Sequence, residues 1–158
     1  MHPEHWDAVR TIYSEGIATG QATFETEVSS WETWDAGHLG APRLIARQGL
    51  RIVGWAALSP VSTRCVYGGV AEVSIYVGNG NRAKGIGTVL LSAMIEASGE
   101  HGIWTLQASM FPENRGSVHL LRKLGFREVG VRERLGKLQG RWRDVLLLER
   151  RSDDVGVE

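Results

Sequence analysis

At 158 residues the chain has the length of one domain and can bury a sizeable core, and its 42% apolar and 23% charged residues exclude disordered and fibrous compositions. Lysine plus arginine balances aspartate plus glutamate at 18 each, so no global field draws the protein to nucleic acid or anionic lipid, and any bound anion must be held locally. No stretch reaches the roughly 20 apolar residues of a membrane span, residues 1–10 do not read as a leader, and Cys65 is the single cysteine; the expectation is a cytoplasmic protein with no disulfide, metal site or membrane contact.

In chain order, Trp6, Val9, Ile12, Tyr13 and Ile17 lie on one helical face and predict a helix over residues 3–18. Ser29 or Ser30 can cap a second helix carrying Glu32, Trp31, Trp34 and Leu39 and ending before Pro42. Three β-type runs follow near 43–47, 51–58 and 69–77, the first two joined as a hairpin. A glycine-rich stretch then leads into Ile86, Leu90, Ala93, Met94 and Ala97 at helical spacing. A strand near 103–110, a helix over 115–124 stopped by Gly125, and strands near 126–134 and 144–149 complete the reading. The expectation is one domain over residues 1–151 and a frayed acidic tail at 152–158.

Chemistry concentrates in Asn81-Arg82-Ala83-Lys84-Gly85-Ile86-Gly87-Thr88. Glycines there let backbone approach a ligand, amide N–H groups converge at the helix start, and Arg82 and Lys84 add positive charge, which together suit a pyrophosphate. Two other readings stand beside it. Gly78-Asn79-Gly80-Asn81-Arg82-Ala83 satisfies the dinucleotide pattern G-x-G-x-x-G/A, but a helix starting near Gly80 would enclose Gly85 and Gly87 at about 1 kcal/mol each. A ligand-free surface turn is the third. A P-loop is excluded, because no G-K-[ST] occurs.

Arg82-x-x-Gly85-x-Gly87 resembles the acetyl-CoA motif of the GNAT acetyltransferases, and Asn114, Ser117, Leu120 and Leu124-Gly125-Phe126 resemble their downstream signature. Thr23-Phe24-Glu25, Gly54-Trp55-Ala56, Arg64 with Tyr67, Glu72-Val73-Ser74-Ile75-Tyr76-Val77 and Gly140-Arg141-Trp142-Arg143-Asp144 narrow the likeness to the phosphinothricin and methionine-sulfoximine acetyltransferase subgroup, over residues 6–150. The resemblance implies an α/β (α+β) GNAT fold: a mixed, mostly antiparallel sheet, helices on both faces, and central strands splayed at an acetyl-CoA cleft. It also implies a missing first strand, since relatives place a short strand before the first helix where this chain has His2-Pro3-Glu4.

By the same resemblance, Ile75, Tyr76 and Val77 pair with the pantetheine arm of acetyl-CoA. Arg82, Ala83, Lys84, Gly85, Ile86, Gly87 and Thr88 hold its pyrophosphate, and Asn114 and Ser117 lie near its thioester. Glu72 is the candidate base that deprotonates the acceptor ammonium, with a backbone N–H of the splayed strand meeting the oxyanion. Arg64 would pair with an acceptor carboxylate, and Phe24, Tyr67 and Glu72 would border the acceptor, a small amino acid, with acetylation of a protein N-terminus or another amine, or acyl-CoA binding without catalysis, as the alternatives. Leu121 stands where relatives carry a tyrosine or histidine acid, and His119, two positions earlier, is expected to face elsewhere. Ser62 replaces a lysine of some relatives. A homodimer is expected, with Trp142 either at its interface or in the chain's own core.

Overall fold

The apolar periods resolve, in the computed structural model of residues 1–157, into α1 (Trp6–Ala18), α2 (Trp31–Ala36), β1 (Arg43–Gln48), β2 (Arg51–Pro60), β3 (Val70–Val77), α3 (Ile86–Glu100), β4 (Thr105–Met110), α4 (Arg115–Lys123), β5 (Arg127–Leu138) and β6 (Arg141–Arg151). One six-stranded sheet runs in the order β1-β2-β3-β4-β6-β5. Every neighbouring pair is antiparallel except β3 and β4. Those two are parallel because α3 carries the chain back along the sheet before β4 begins, as a crossover must.

Helices cover both faces. On one, Leu90, Leu91 and Met94 of α3 and Val118 and Leu121 of α4 pack on Ala56, Leu58, Val73, Leu106 and Leu148. On the other, Val9 and Ile12 of α1 and Trp34 of α2 pack on Trp55 and Ala57, with Tyr13, Tyr76, Trp6 and Trp31 around them. Gly16 lets α1 approach β3: a Cβ there would lie 2.5 Å from the Tyr76 ring. Arg43 closes this aromatic layer, its guanidinium 5.2 Å from the Trp34 ring centre while it ion-pairs with Asp35.

No strand precedes α1 among the described residues, so β1 is the sheet's edge on that side. In place of a ladder, the Met1 ammonium donates one hydrogen bond, 3.1 Å, to the Arg43 carbonyl. Ser30 caps α2, accepting from the Thr33 amide at 3.3 Å, but α2 ends at Ala36, short of Leu39, whose amide bonds the Leu58 carbonyl of β2 instead. In α3, Leu91 is fully buried whereas Ala93 is exposed, so the core face is rotated from the expected one.

The last hairpin is longer than the expected strands near 126–134 and 144–149. Gln139 and Gly140 both take positive φ, 49° and 79°, and close a two-residue turn that extends β5 to Leu138 and starts β6 at Arg141. Most of β5 is exposed, so it carries no apolar alternation from which its length could be read. Of the tail expected to fray at 152–158, residues 152–157 turn back on Trp104, and Glu158 lies outside the described residues. The Ser152 amide donates to the Trp104 carbonyl at 2.8 Å, and the Arg151 guanidinium bonds the carbonyls of Trp104 and Val155 at 3.0 and 2.6 Å.

Candidate active site

The two central strands separate. β3 and β4 pair only at Val70, Ala71 and Glu72, opposite Thr105, Leu106 and Gln107. Beyond that point β4 stays paired with β6 through Met110, while β3 runs on to Val77 paired only with β2. One edge of β3 from Val73 to Val77 is therefore left without a ladder partner, a row of backbone groups that an extended ligand can satisfy as an added strand.

Residues 78–85 turn β3 into α3. Ala83, Gly80 and Gly85 take positive φ of 58°, 77° and 84°. At Gly85, the N-cap of α3, the left-handed conformation is one that L side chains rarely adopt, and no side chain caps the helix. The first turn holds no acidic residue, so uncapped amides and the positive end of the helix dipole face outward together. The Arg82 guanidinium folds back on the Val77 carbonyl at 3.1 Å, and the Asn79 amide is tied to Glu15 of α1 at 2.6 Å. Helical geometry starts at Ile86 and not near Gly80, which removes the dinucleotide reading.

A cleft of about 1030 Å³ joins this loop to the opened strands. Of the expected ligand-holding residues, Ile75, Tyr76, Val77, Arg82, Ala83, Gly85, Gly87, Thr88, Asn114 and Ser117 line it, whereas Lys84 and Ile86 do not. Asn114 caps α4, accepting from the Ser117 amide at 3.3 Å, and its amide group reaches the Gln21 carbonyl at 3.4 Å. A Cβ on Gly87 would lie 3.1 Å from Leu120, so α3 and α4 meet closely at the cleft wall.

Glu72 sits at the vertex where the strands part and lines the cleft. It is held from β4: Gln107 Nε2 donates to Glu72 Oε2 at 2.8 Å, and Ser109 Oγ donates to the same oxygen at 3.1 Å. Sequence reasoning missed both donors. Their trace was the polar alternation Thr105, Gln107, Ser109 against buried Leu106, Ala108 and Met110, which marks the face of β4 turned away from the core under α3 and α4.

Beyond Glu72 the wall is aromatic. Phe24 lines the cleft edge-on to Phe111, ring centres 5.0 Å apart, an arrangement worth about 0.5–1.5 kcal/mol beyond area burial. Arg143 lies behind them, its guanidinium carbon 3.9 Å from the Phe111 ring centre. It donates to the Gly20 carbonyl at 3.2 Å and to Gln21 Oε1 at 3.1 Å, and reaches Glu113 at 3.4 Å. This one side chain therefore anchors the segment that carries Gln21 and Phe24 into the cleft. Burial raises the Tyr13 and Tyr76 phenols above their ordinary range, so both line the cleft as neutral hydroxyls.

Arg64 and Tyr67 stack on each other, 5.5 Å from guanidinium carbon to ring centre, on the exposed loop between β2 and β3, and neither lines the cleft. Leu121 is buried in the cleft wall. His119, expected to face elsewhere, borders the cleft as well, because the cleft runs along α4 from Gly116 to Lys123 and takes in more than one helical face. Trp142 is 56% exposed, which excludes a place in the chain's own core. Among the described residues no group of three or more histidine, cysteine, aspartate or glutamate side chains is arranged to hold a metal, and no helix is long and apolar enough to cross a membrane.

Residues 6–126 match the model of the Acetyltransferase (GNAT) family. The L-methionine sulfoximine/L-methionine sulfone acetyltransferase of Pseudomonas aeruginosa is 30% identical over 151 residues, 92% of this chain and 88% of that protein. The crystal structure of a GNAT superfamily phosphinothricin acetyltransferase from Sinorhizobium meliloti in complex with AcCoA aligns at a TM-score of 0.89 with 26% identity, covering 100% of this chain and 89% of that one. A ribosomal-protein-alanine N-acetyltransferase from Brucella melitensis aligns at 0.87 with 27% identity, over 96% and 97% of the two chains.

Proposed function

The chain belongs to the GNAT acetyltransferase family and is an acetyl-CoA-dependent N-acetyltransferase, and we propose that its acceptor is the amino group of a small amino-acid-like molecule of the phosphinothricin, methionine sulfoximine or methionine sulfone type. The observation that carries this reading is the placement of Glu72 at the vertex of a cleft whose two ends differ. One end presents the open β3 edge and the α3 amino terminus; the other presents Phe24 and Phe111.

The open edge offers hydrogen bonds to an extended acyl-pantetheine arm, and the loop at Arg82, Gly85 and Gly87 offers amides to a pyrophosphate. Glu72 takes a proton from the acceptor ammonium, freeing the lone pair that attacks the thioester carbon; the tetrahedral adduct then expels the thiolate as its C–S bond breaks, and the second proton shed by the nitrogen passes to the thiolate, leaving amide and free thiol. A thiol is a comparatively good leaving group, so Leu121 in place of an acid is compatible with turnover. Phe24 and Phe111 wall a space suited to a small side chain. Arg64 and Tyr67 remain candidates for the acceptor's carboxylate only from outside the cleft of one chain.

We assign the active form to a cytoplasmic homodimer. Support comes from the exposed apolar residues Val129, Val131, Leu135 and Trp142 of the last hairpin, since tryptophan is enriched at interfaces. Thiol release from acetyl-CoA, measured with free amino acids, methionine sulfone, methionine sulfoximine, phosphinothricin and a peptide beginning with alanine, tests the acceptor. Turnover with the sulfone, sulfoximine or phosphinothricin is expected, and turnover with the peptide alone refutes the proposal.

A further inference from the structure

We propose that Gln107 and Ser109 are positioning residues for Glu72, fixing which of its two oxygens receives the proton; this rests on the reading of Glu72 as the base. Both side chains donate to Oε2, at 2.8 and 3.1 Å. An ionised carboxylate accepts on both oxygens, so with Oε2 engaged twice, Oε1 keeps its lone pairs for the cleft. No lysine, arginine or histidine forms an ion pair with Glu72 among the described residues. Two neutral donors therefore orient the carboxylate without cancelling its charge.

The clamp is itself rigidly mounted. Gln107 and Ser109 are two residues apart on β4 and project from one face of it, and β4 is fixed on its other side by pairing of Gln107 with Glu149 and Ser109 with Leu147 of β6. Gln107 lies opposite Glu72 in the last β3–β4 pair. Ser109 lies beyond that pair, where the strands have begun to part, so its hydroxyl bridges the opening of the cleft. Only the N–H side of the Gln107 amide can face a carboxylate oxygen without lone-pair repulsion, which settles its orientation. During turnover the ammonium proton passes to Oε1 and the O–H bond formed there is later lost to water, with Oε2 bonded to its donors throughout.

The test uses Gln107→Met, Ser109→Ala, Ser109→Thr and Glu72→Gln in the full chain with acetyl-CoA and an accepted amine. Each of the first two removes one donor to a charged group, so kcat is expected to fall about tenfold while the KM for acetyl-CoA stays within about twofold. Ser109→Thr, which retains the hydroxyl, should restore kcat. Melting temperature and acetyl-CoA binding identify a variant that has failed to fold; the threonine variant then decides on its own. Wild-type turnover in Gln107→Met and Ser109→Ala, or a loss in Ser109→Ala that threonine does not restore, overturns the clamp. Full turnover in Glu72→Gln overturns the base reading instead, so the two failures are distinguishable.

Discussion

At the α3 end of the cleft the groups aimed inward belong to the backbone, namely the unpaired edge of β3 and the uncapped amides after Gly85. At the Glu72 end they are side chains drawn from separate segments: Glu72 from β3, Gln107 and Ser109 from β4, Phe24 from the segment after α1, and Arg143 from β6 behind it. Backbone geometry of the first kind is dictated by a few adjacent residues and serves any ligand carrying the same pyrophosphate. Side-chain geometry of the second kind depends on how distant segments meet, and there one substitution can change which acceptor is used.

Replacing a residue at the backbone end should have the largest effect on cofactor binding. Gly85→Val forces a β-branched residue to φ near 84°, at a cost of about 1–3 kcal/mol unless the loop moves. Nothing lies within 4 Å of a Cβ added there, so the fold should persist while calorimetry shows acetyl-CoA affinity reduced roughly 10- to 100-fold. Unchanged affinity would break the comparison at its first term.

At the other end, Arg143→Ala releases the segment carrying Gln21 and Phe24, and the KM for the acceptor should rise about tenfold from the lost charged hydrogen bonds with little change in that for acetyl-CoA. Arg64→Ala is the contrast. Its side chain is exposed and outside the cleft, so acceptor KM should shift less than twofold; a larger rise than in Arg143→Ala would show that Arg64 reaches the acceptor from outside the single chain. Sedimentation sharpens the same point: twice the 17.4 kDa chain mass is expected at micromolar concentration, and a monomer alone removes the dimer.

The smallest effect lies far from the cleft. Burial holds His38 below its usual pKa, with the Arg43 cation adding to the shift, while its Nδ1 bonds the Trp34 carbonyl at 2.6 Å. Its folded pKa is depressed, so below about pH 6.5 the unfolded chain binds the additional proton and stability declines as pH falls. Thermal melts of His38→Gln should show a flatter decline between pH 6.5 and 5 than the parent protein, and identical slopes would discount His38.

The backbone end was legible because its signals are local: Gly85 and Gly87 before an apolar run at Ile86, Leu90 and Met94 specify a turn and a helix start without help from the rest of the chain. The place of Glu72 on the cleft was legible from its polarity within an apolar strand. Gln107, Ser109 and Arg143 were not, because each acquires its meaning from a partner 35 or more positions away: Glu72, or Gln21. Arg64, read as the partner of an acceptor carboxylate, and Tyr67, read as bordering the acceptor, illustrate the converse: their loop leaves both exposed. The long β5–β6 hairpin escaped because hydrogen bonding and a two-residue turn build it, with little burial to leave a pattern.

The most direct test of the account is the pH dependence of turnover by Glu72→Gln, with acetyl-CoA and methionine sulfone, between about pH 6 and pH 9. The substitution preserves shape but removes the proton acceptor, so kcat should fall by about 100-fold or more while the KM for acetyl-CoA stays within about twofold. Wild-type turnover across that range would contradict the account and move the base elsewhere in the cleft.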